Sequence, residues 1–392
     1  MSTLSPVNKC DRGVAASRHQ PTRLAERIAA HIRAHGPITF RDFMERALYE
    51  PGRGYYARAR TAWAESADFL TAPQVDAAFG IAVASLVRAC DYALGTPAGF
   101  DLVEMGGGDG ALLRDTCDAL ARHDAELYRR LRIVCIERGD AARAQQRERL
   151  AGHADRARWL DTLEQLPEGS LCGLLFSNEL LDAFPVHRVR WRAGRLRELL
   201  VDVDERGFVE READPTGPAL AAYLRDNDVT LQEGQVAEIC LAVDTWVAAV
   251  AQRLRRGFVL TVDYGADTQA LYGPGREGGS LVCQHRFQLN ASPYERIGEQ
   301  DITAHVDLGN LRRCGAARGL QTAGVAGLAV FLLGFGAADS LVPHARDDRG
   351  AAAHARRTLG LRHLLLSEIA DAHRAVLQYK DVAPIPFGRE RL

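Results

Sequence analysis

The sequence predicts an α/β fold built on a mostly parallel sheet. From residue 100 onward, short apolar runs alternate with helix-patterned segments, the rhythm of strand–helix–strand units joined by right-handed crossovers. The first run, Phe100–Met105, leads directly into Gly106-Gly107-Gly108-Asp109-Gly110 and then a helical pattern. The chain has 392 residues, 47% hydrophobic and 26% charged. That is ordinary globular usage, long enough for a full core without metal or disulfide staples.

Taken in order, residues 1–20 mix Ser, Arg, Asp and Pro without periodicity and read as a disordered tail. Residues 21–95 read as a helical lead-in. Thr22 caps a helix in which Leu24, Ile28 and Ile32 recur every four residues, and Gly36-Pro37 stops it. Thr39 caps a second helix over 40–48, and a third covers about 75–93. The polar stretches 51–56 and 68–73 lie between them as loops, and a loop held over a rigid scaffold tends to carry function. The lead-in is therefore expected to act as a lid.

Residues 96–392 form the expected core. Strands are predicted at 100–105, 132–136, 171–176 and 258–262, with helices over 111–121, 141–150 and 236–254. Two insertions break the rhythm, near 186–234 and 266–310. The first reads as antiparallel strands turning at Ala193-Gly194, and the second is Gly-rich and loop-like. Beyond it come a helix near 307–318, a Gly/Leu segment at 324–336 and a helix over 351–369.

Composition excludes several function classes. The net charge of −2 argues against a non-specific nucleic-acid binder. Lys9 and Lys380 are the only lysines among 49 basic residues. So strong an arginine bias fits a GC-rich bacterial genome better than a phosphate-binding surface. The eight cysteines include no Cys-x-x-Cys pair and mostly sit in apolar runs, which points to a reducing, cytoplasmic setting. No apolar run approaches the roughly 18 residues of a membrane span. His285, Asp301, His305 and Asp307 follow no metal-ligand spacing, so no metal is expected.

The strand-to-helix glycine turn is the strongest local signal. Glycines let the backbone turn sharply and approach a ligand closely at a helix N-terminus. In an open α/β sheet that turn lies at the carboxyl edge, where ligands bind. Gly106, Gly108 and Ala111 also satisfy the dinucleotide pattern G-x-G-x-x-A, which leaves a nicotinamide-dependent oxidoreductase open. Glu104, just before the turn, would repel a pyrophosphate and favour a cationic ligand. Glycines at alternate positions, Gly106, Gly108 and Gly110, suit S-adenosylmethionine (SAM). Glu137 ends the second strand, where an acid can accept from ribose hydroxyls. Asn178, Glu179 and Asp182 follow the third strand and Asp263 the fourth, all at the same sheet edge.

Several motifs in one order make the chain resemble the MidA-like class I SAM-dependent methyltransferases. They are Pro37-Ile38-Thr39-Phe40, Tyr49-Glu50-Pro51-Gly52 with Gly54-Tyr55-Tyr56, Asp68-Phe69-Leu70-Thr71-Ala72-Pro73, and Glu104-Met105-Gly106-Gly107-Gly108-Asp109-Gly110. Asn178-Glu179-Leu180-Leu181-Asp182-Ala183-Phe184-Pro185, Asp263-Tyr264-Gly265 and Gln300-Asp301-Ile302-Thr303-Ala304-His305-Val306-Asp307 complete the set. The match covers most of 37–310. Mitochondrial members of that family assist respiratory complex I assembly by methylating an arginine of a core subunit.

The resemblance implies a Rossmann-like methyltransferase core with SAM as cofactor. It implies a protein substrate, such as a respiratory-complex subunit, and transfer of a methyl group to an arginine. Glu104, Gly106, Gly108, Gly110 and Glu137 would hold SAM. Asp68, Thr71 and Asn178 would line the cofactor pocket, and Glu179, Asp182 and Asp263 would act in catalysis. A SAM-binding assembly factor without turnover is the remaining alternative.

Overall fold

The computed structural model describes residues 21–58, 76–338, 358–362, 364–366 and 372–388. The tail expected at 1–20, the 68–73 loop with Asp68 and Thr71, and most of the helix expected at 351–369 lie outside them.

Sixteen strands are described. They are β1 (Ile38–Thr39), β2 (Phe100–Met105), β3 (Leu131–Ile136), β4 (Ala157–Leu160), β5 (Leu171–Asn178), β6 (His187–Arg192), β7 (Arg195–Asp204) and β8 (Gly207–Ala213). Then come β9 (Val236–Ile239), β10 (Leu254–Ala266), β11 (Leu281–His285), β12 (Gln288–Asn290), β13 (Asp301–Ala304), β14 (Val306–Asp307), β15 (Gln321–Gly327) and β16 (His373–Lys380). The helices are α1 (Arg23–His35), α2 (Phe40–Tyr49), α3 (Ala78–Ala93), α4 (Ala111–His123), α5 (Ala125–Arg130) and α6 (Asp140–Arg149). They continue as α7 (Ala219–Asp226), α8 (Ala242–Arg253), α9 (Thr268–Tyr272), α10 (Leu308–Ala316) and α11 (Leu328–Gly334).

The central sheet runs β15-β16-β10-β5-β2-β3-β4, with β14 also paired to β10. From β10 to β4 every pair is parallel. β16 is antiparallel to both of its neighbours. Parallel strands are covered on both faces and so read as unbroken apolar runs. Leu171–Asn178 is buried at every position but the last. One face packs on α3, α4 and α11, through Phe79, Leu86, Leu113, Leu120 and Phe331. The other packs on α8 and α10, through Trp246, Val250 and Leu311.

A second sheet orders β1-β7-β6-β9, with β8 beside β7. Its turn at Ala193-Gly194 is where the sequence placed it, and both residues have positive φ, as a tight hairpin with matching twist needs. The lead-in joins this sheet, Ile38 pairing with Val201. Phe40, Phe43 and Met44 then pack on Val186, Val201 and Ile302. The lead-in and both insertions thus share one core.

Three expectations change. The helix expected over 236–254 begins only at Ala242. Val236–Ile239 is a fully buried strand on the edge of β6, so tertiary pairing decides its state. The segment 266–310 is no loop, because it holds the three-stranded sheet β12-β11-β13 together with α9 and β14. The Gly/Leu segment at 324–336 divides into the end of β15 and α11.

Candidate active site

A cleft of about 1430 Å³ opens at the carboxyl ends of β2, β3 and β5. Its floor is the glycine turn between β2 and α4. Gly106, Gly108 and Gly110 have φ of +70°, +53° and +84°, a region that costs glycine nothing and other L-residues strain. A side chain at Gly106 would also strike Leu180, 2.7 Å from its Cβ position. At Gly108 nothing stands within 4 Å, so the turn leaves open space there.

The turn is braced from below. Gly106 N–H donates to Ile136 O (3.0 Å) and Gly110 N–H to Gly107 O (2.8 Å). Gln146 of α6 is 1% exposed and donates to Gly108 O at 3.0 Å. Asp109 accepts from Ala111 N–H (3.0 Å) and pairs with Arg149 (3.1 Å). Asp109 therefore braces the turn while also lining the cleft.

Glu104 lies under Gly107, whose Cβ position would be 2.2 Å from Glu104 Oε2. Burial pushes its pKa up to about 8, and Asp109 and Glu137 add to the rise. Glu137 lines the same cleft, and burial raises its pKa as well. One of its oxygens accepts from Gly139 N–H at 2.8 Å, which fixes the carboxylate at the start of α6.

The other end of the cleft is acidic. Glu179, Asp182 and Asp301 line it, and the latter two are 4% and 3% exposed. Burial raises the Asp182 pKa strongly, and Asp263, Glu179 and Asp301 reinforce it by repulsion. Asp301 accepts from Tyr56 O–H at 2.9 Å on both oxygens. Tyr49 donates to Ala183 O (2.9 Å) and stacks on Tyr56, with ring centroids 5.6 Å apart. Arg138 lies over the Tyr49 ring at 4.1 Å and pairs with Glu45 of α2. The lead-in thus supplies one wall of the cleft.

Asn178 Nδ2 donates to Glu179 Oε1 at 3.0 Å, while its buried Oδ1 has no partner. That orphaned acceptor calls for a donor group on a ligand. Asp263 does not line the cleft. It is fully buried, and it accepts from Leu180 N–H (3.2 Å), Leu181 N–H (2.8 Å) and Tyr264 N–H (2.9 Å). Burial pushes its pKa up to about 7 against the pull of those amides. Asp263 ties the 179–182 turn to the end of β10.

A glycine cradle, two acidic side chains and an unpartnered amide oxygen put several acceptors in one cleft. It fits a ligand carrying a cationic amine and ribose hydroxyls better than one carrying phosphates. The comparisons with known proteins agree. Residues 80–326 match the Methyltransf_28 family of S-adenosyl-L-methionine-dependent methyltransferases, over more than half of the chain. The chain belongs to that family.

Methyltransf_28 membership sets the nicotinamide reading aside. The chain is a SAM-dependent methyltransferase with S-adenosyl-L-methionine as its cofactor. It is 31% identical to a Burkholderia thailandensis protein crystallised with S-adenosyl-homocysteine, with a TM-score of 0.81 and 94% of each chain covered. It is 27% identical to "Protein arginine methyltransferase NDUFAF7 homolog, mitochondrial" of Drosophila melanogaster, over 76% of this chain and 70% of that one. The mouse protein of the corresponding name is also 27% identical, with 76% and 71% covered.

The sequence reading missed parts of this site. Asp161, Thr162 and Leu163 line the cleft just after β4, a strand of four residues that is too short to stand out. Trp246 and Ala249 close it from α8. His373 at the start of β16 reaches Glu179 from far along the chain. The only sign of β16 was the apolar run Ala375-Val376-Leu377.

Proposed function

We propose that this methyltransferase modifies a cationic side chain of a protein, an arginine, held at the acidic end of the cleft. The observation that carries this is the convergence of Glu179, Asp182 and Asp301 on one wall beside the glycine turn. The curated relatives named protein arginine methyltransferases support it. A guanidinium offers five N–H donors and no acceptor, the complement of a wall that offers carboxylate oxygens. The cleft exceeds the 300–1,000 Å³ of ordinary small-molecule sites, which leaves room for an acceptor beside a cofactor.

Glu104, Gly106, Gly108, Gly110, Glu137 and Asn178 are the residues that would hold SAM, with Asp68 and Thr71 as further candidates. When bound, SAM supplies an electrophilic methyl on a sulfonium. The chain's own work is to place a nitrogen in line with that methyl, about 3–3.5 Å away. Glu179 and Asp182 orient the guanidinium and draw its positive charge toward the wall. Burial keeps Tyr49 and Tyr56 protonated, so they act as neutral donors that shape the wall. Asp263 acts one step removed, by holding Leu180 and Leu181.

A subunit of a respiratory complex is one such protein substrate. The seven cysteines among the described residues are free, which supports work in a reducing compartment, the cytoplasm. The test is transfer of labelled methyl from SAM into fractionated lysate protein, followed by mapping of the modified residue. Label on arginine supports the reading, and label confined to small molecules or to other side chains overturns it.

A further inference from the structure

His373 is fully buried where β16 begins, opposite Tyr264 in the antiparallel ladder with β10. Its ring centroid lies 3.8 Å from that of Tyr264. Its Nε2 is 3.3 Å from Glu179 Oε1, an ion-pair approach rather than an aligned hydrogen bond. Asn178 Nδ2 donates to the same oxygen at 3.0 Å. Both contacts therefore converge on Oε1, and Oε2 is left to whatever enters the cleft that Glu179 lines.

The backbone at Glu179 is unusual in the same place. Its φ of +49° lies in the left-handed region, which a long side chain adopts only when its surroundings hold it there. Two such holds are visible. Glu179 N–H donates to Val262 O at 2.9 Å, and Asp263 grips the next two amides. These fix the main chain, and Asn178 and His373 fix the carboxylate. Asp182 and Asp263 both lie within electrostatic reach of Glu179.

We propose that His373 is a positioning residue for methyl transfer, anchoring Glu179 Oε1 so that Oε2 is presented to the acceptor cation. This rests on the acceptor reading given above. This anchoring requires a proton on Nε2. A reactive constellation tolerates errors of only about 0.5 Å and 10–20°, so an unanchored Glu179 can keep its charge and still lose its alignment.

The test uses the full chain, tritiated SAM and lysate protein from cells lacking the enzyme. Wild type is compared with His373→Leu, His373→Gln, Glu179→Gln and the double variant His373→Leu with Glu179→Gln. Thermal melts and calorimetric SAM titrations accompany each. His373→Leu is expected to lower turnover at saturating acceptor about 10- to 100-fold, roughly 1.4–2.8 kcal/mol. SAM affinity should hold. His373→Gln, which keeps an N–H donor, should recover most of the loss. The double variant should be little worse than Glu179→Gln alone, because the two residues act as one unit.

Losses that multiply in the double variant would overturn the proposal. So would a His373→Gln as impaired as His373→Leu, or SAM affinity that falls in step with turnover. If His373→Leu does not fold, His373→Gln against His373→Asn decides instead, since the shorter amide withdraws the donor from Glu179. Equal turnover of those two would then overturn the proposal. Wild type that labels no arginine removes the acceptor reading and this inference together. Arginine labelled equally by wild type and variants removes the inference alone.

Discussion

The two ends of the cleft are built in opposite ways. At the cofactor end, Glu104 to Gly110 is one unbroken heptapeptide, and Glu137 follows directly on the neighbouring strand of the same parallel sheet. At the acidic end, Tyr49 and Tyr56 come from the lead-in, Glu179 and Asp182 from the turn after β5, Asp301 from β13 and His373 from β16. Local backbone chemistry makes the first end, and tertiary assembly makes the second. Substitutions at the first should therefore act on cofactor affinity, and substitutions at the second on transfer.

The largest effect is expected at the glycine turn. Gly106→Val puts a branched side chain at φ +70° and drives it into Leu180. SAM binding by calorimetry should fall below detection, while far-ultraviolet circular dichroism keeps most of its signal. Normal binding by this variant would remove the turn as the cradle.

The opposite end should show the reverse pattern. Glu179→Gln combined with Asp182→Asn replaces two carboxyl groups of the acceptor wall with amides. Each charged hydrogen bond is worth about 1.5–3 kcal/mol, so methyl transfer should drop at least about 100-fold. SAM affinity should change by less than about fivefold, a difference of roughly 1 kcal/mol. Loss of SAM binding here would merge the two ends into one site.

Glu137 sharpens the contrast on a smaller scale. Because Gly139 N–H already occupies one oxygen, Glu137→Ala should weaken SAM by about 2 kcal/mol, roughly 30-fold. Glu137→Gln should lose less, since its carbonyl still accepts. Equal affinity across wild type and both variants would mark Glu137 as a bystander that only caps α6.

The smallest effect is one of stability. Glu104 has its folded pKa raised to about 8, so its favourable protonated state is fully present below the unfolded value near 4.5. That contribution is lost as pH rises through 8. Glu104→Gln without ligand should melt higher than wild type at pH 8 and no higher near pH 4.5, while binding SAM more weakly. A melting difference independent of pH would mean that Glu104 is not titrating in this window.

The same contrast decides what could be read from the sequence. The parallel strands announced themselves because both faces are buried, as at Leu171–Asn178. The glycine turn announced itself because contiguous residues do all its work. Glu179 and Asp182 were visible as acids at a strand end, but Asp263 shows the limit of that signal. Its position at the carboxyl edge was legible, whereas its inward turn toward three backbone amides was not. His373 left no local trace at all. Its partner is 194 positions away, and nothing in His373–Lys380 says which strand it will lie beside.

The placement of β16 also sets an order of events during synthesis. A chain emerging from the ribosome can close β2 to β5, and with them the glycine turn, while the β10 flank of the sheet still stands unpaired. β16 fills the gap between β10 and β15 only when residues 373–380 are available. Growing chains tend to fold N-terminal units first, so cofactor-binding capacity should mature earlier than the acceptor wall. An incomplete copy of this protein would therefore sequester SAM before it could spend a methyl group on the wrong target.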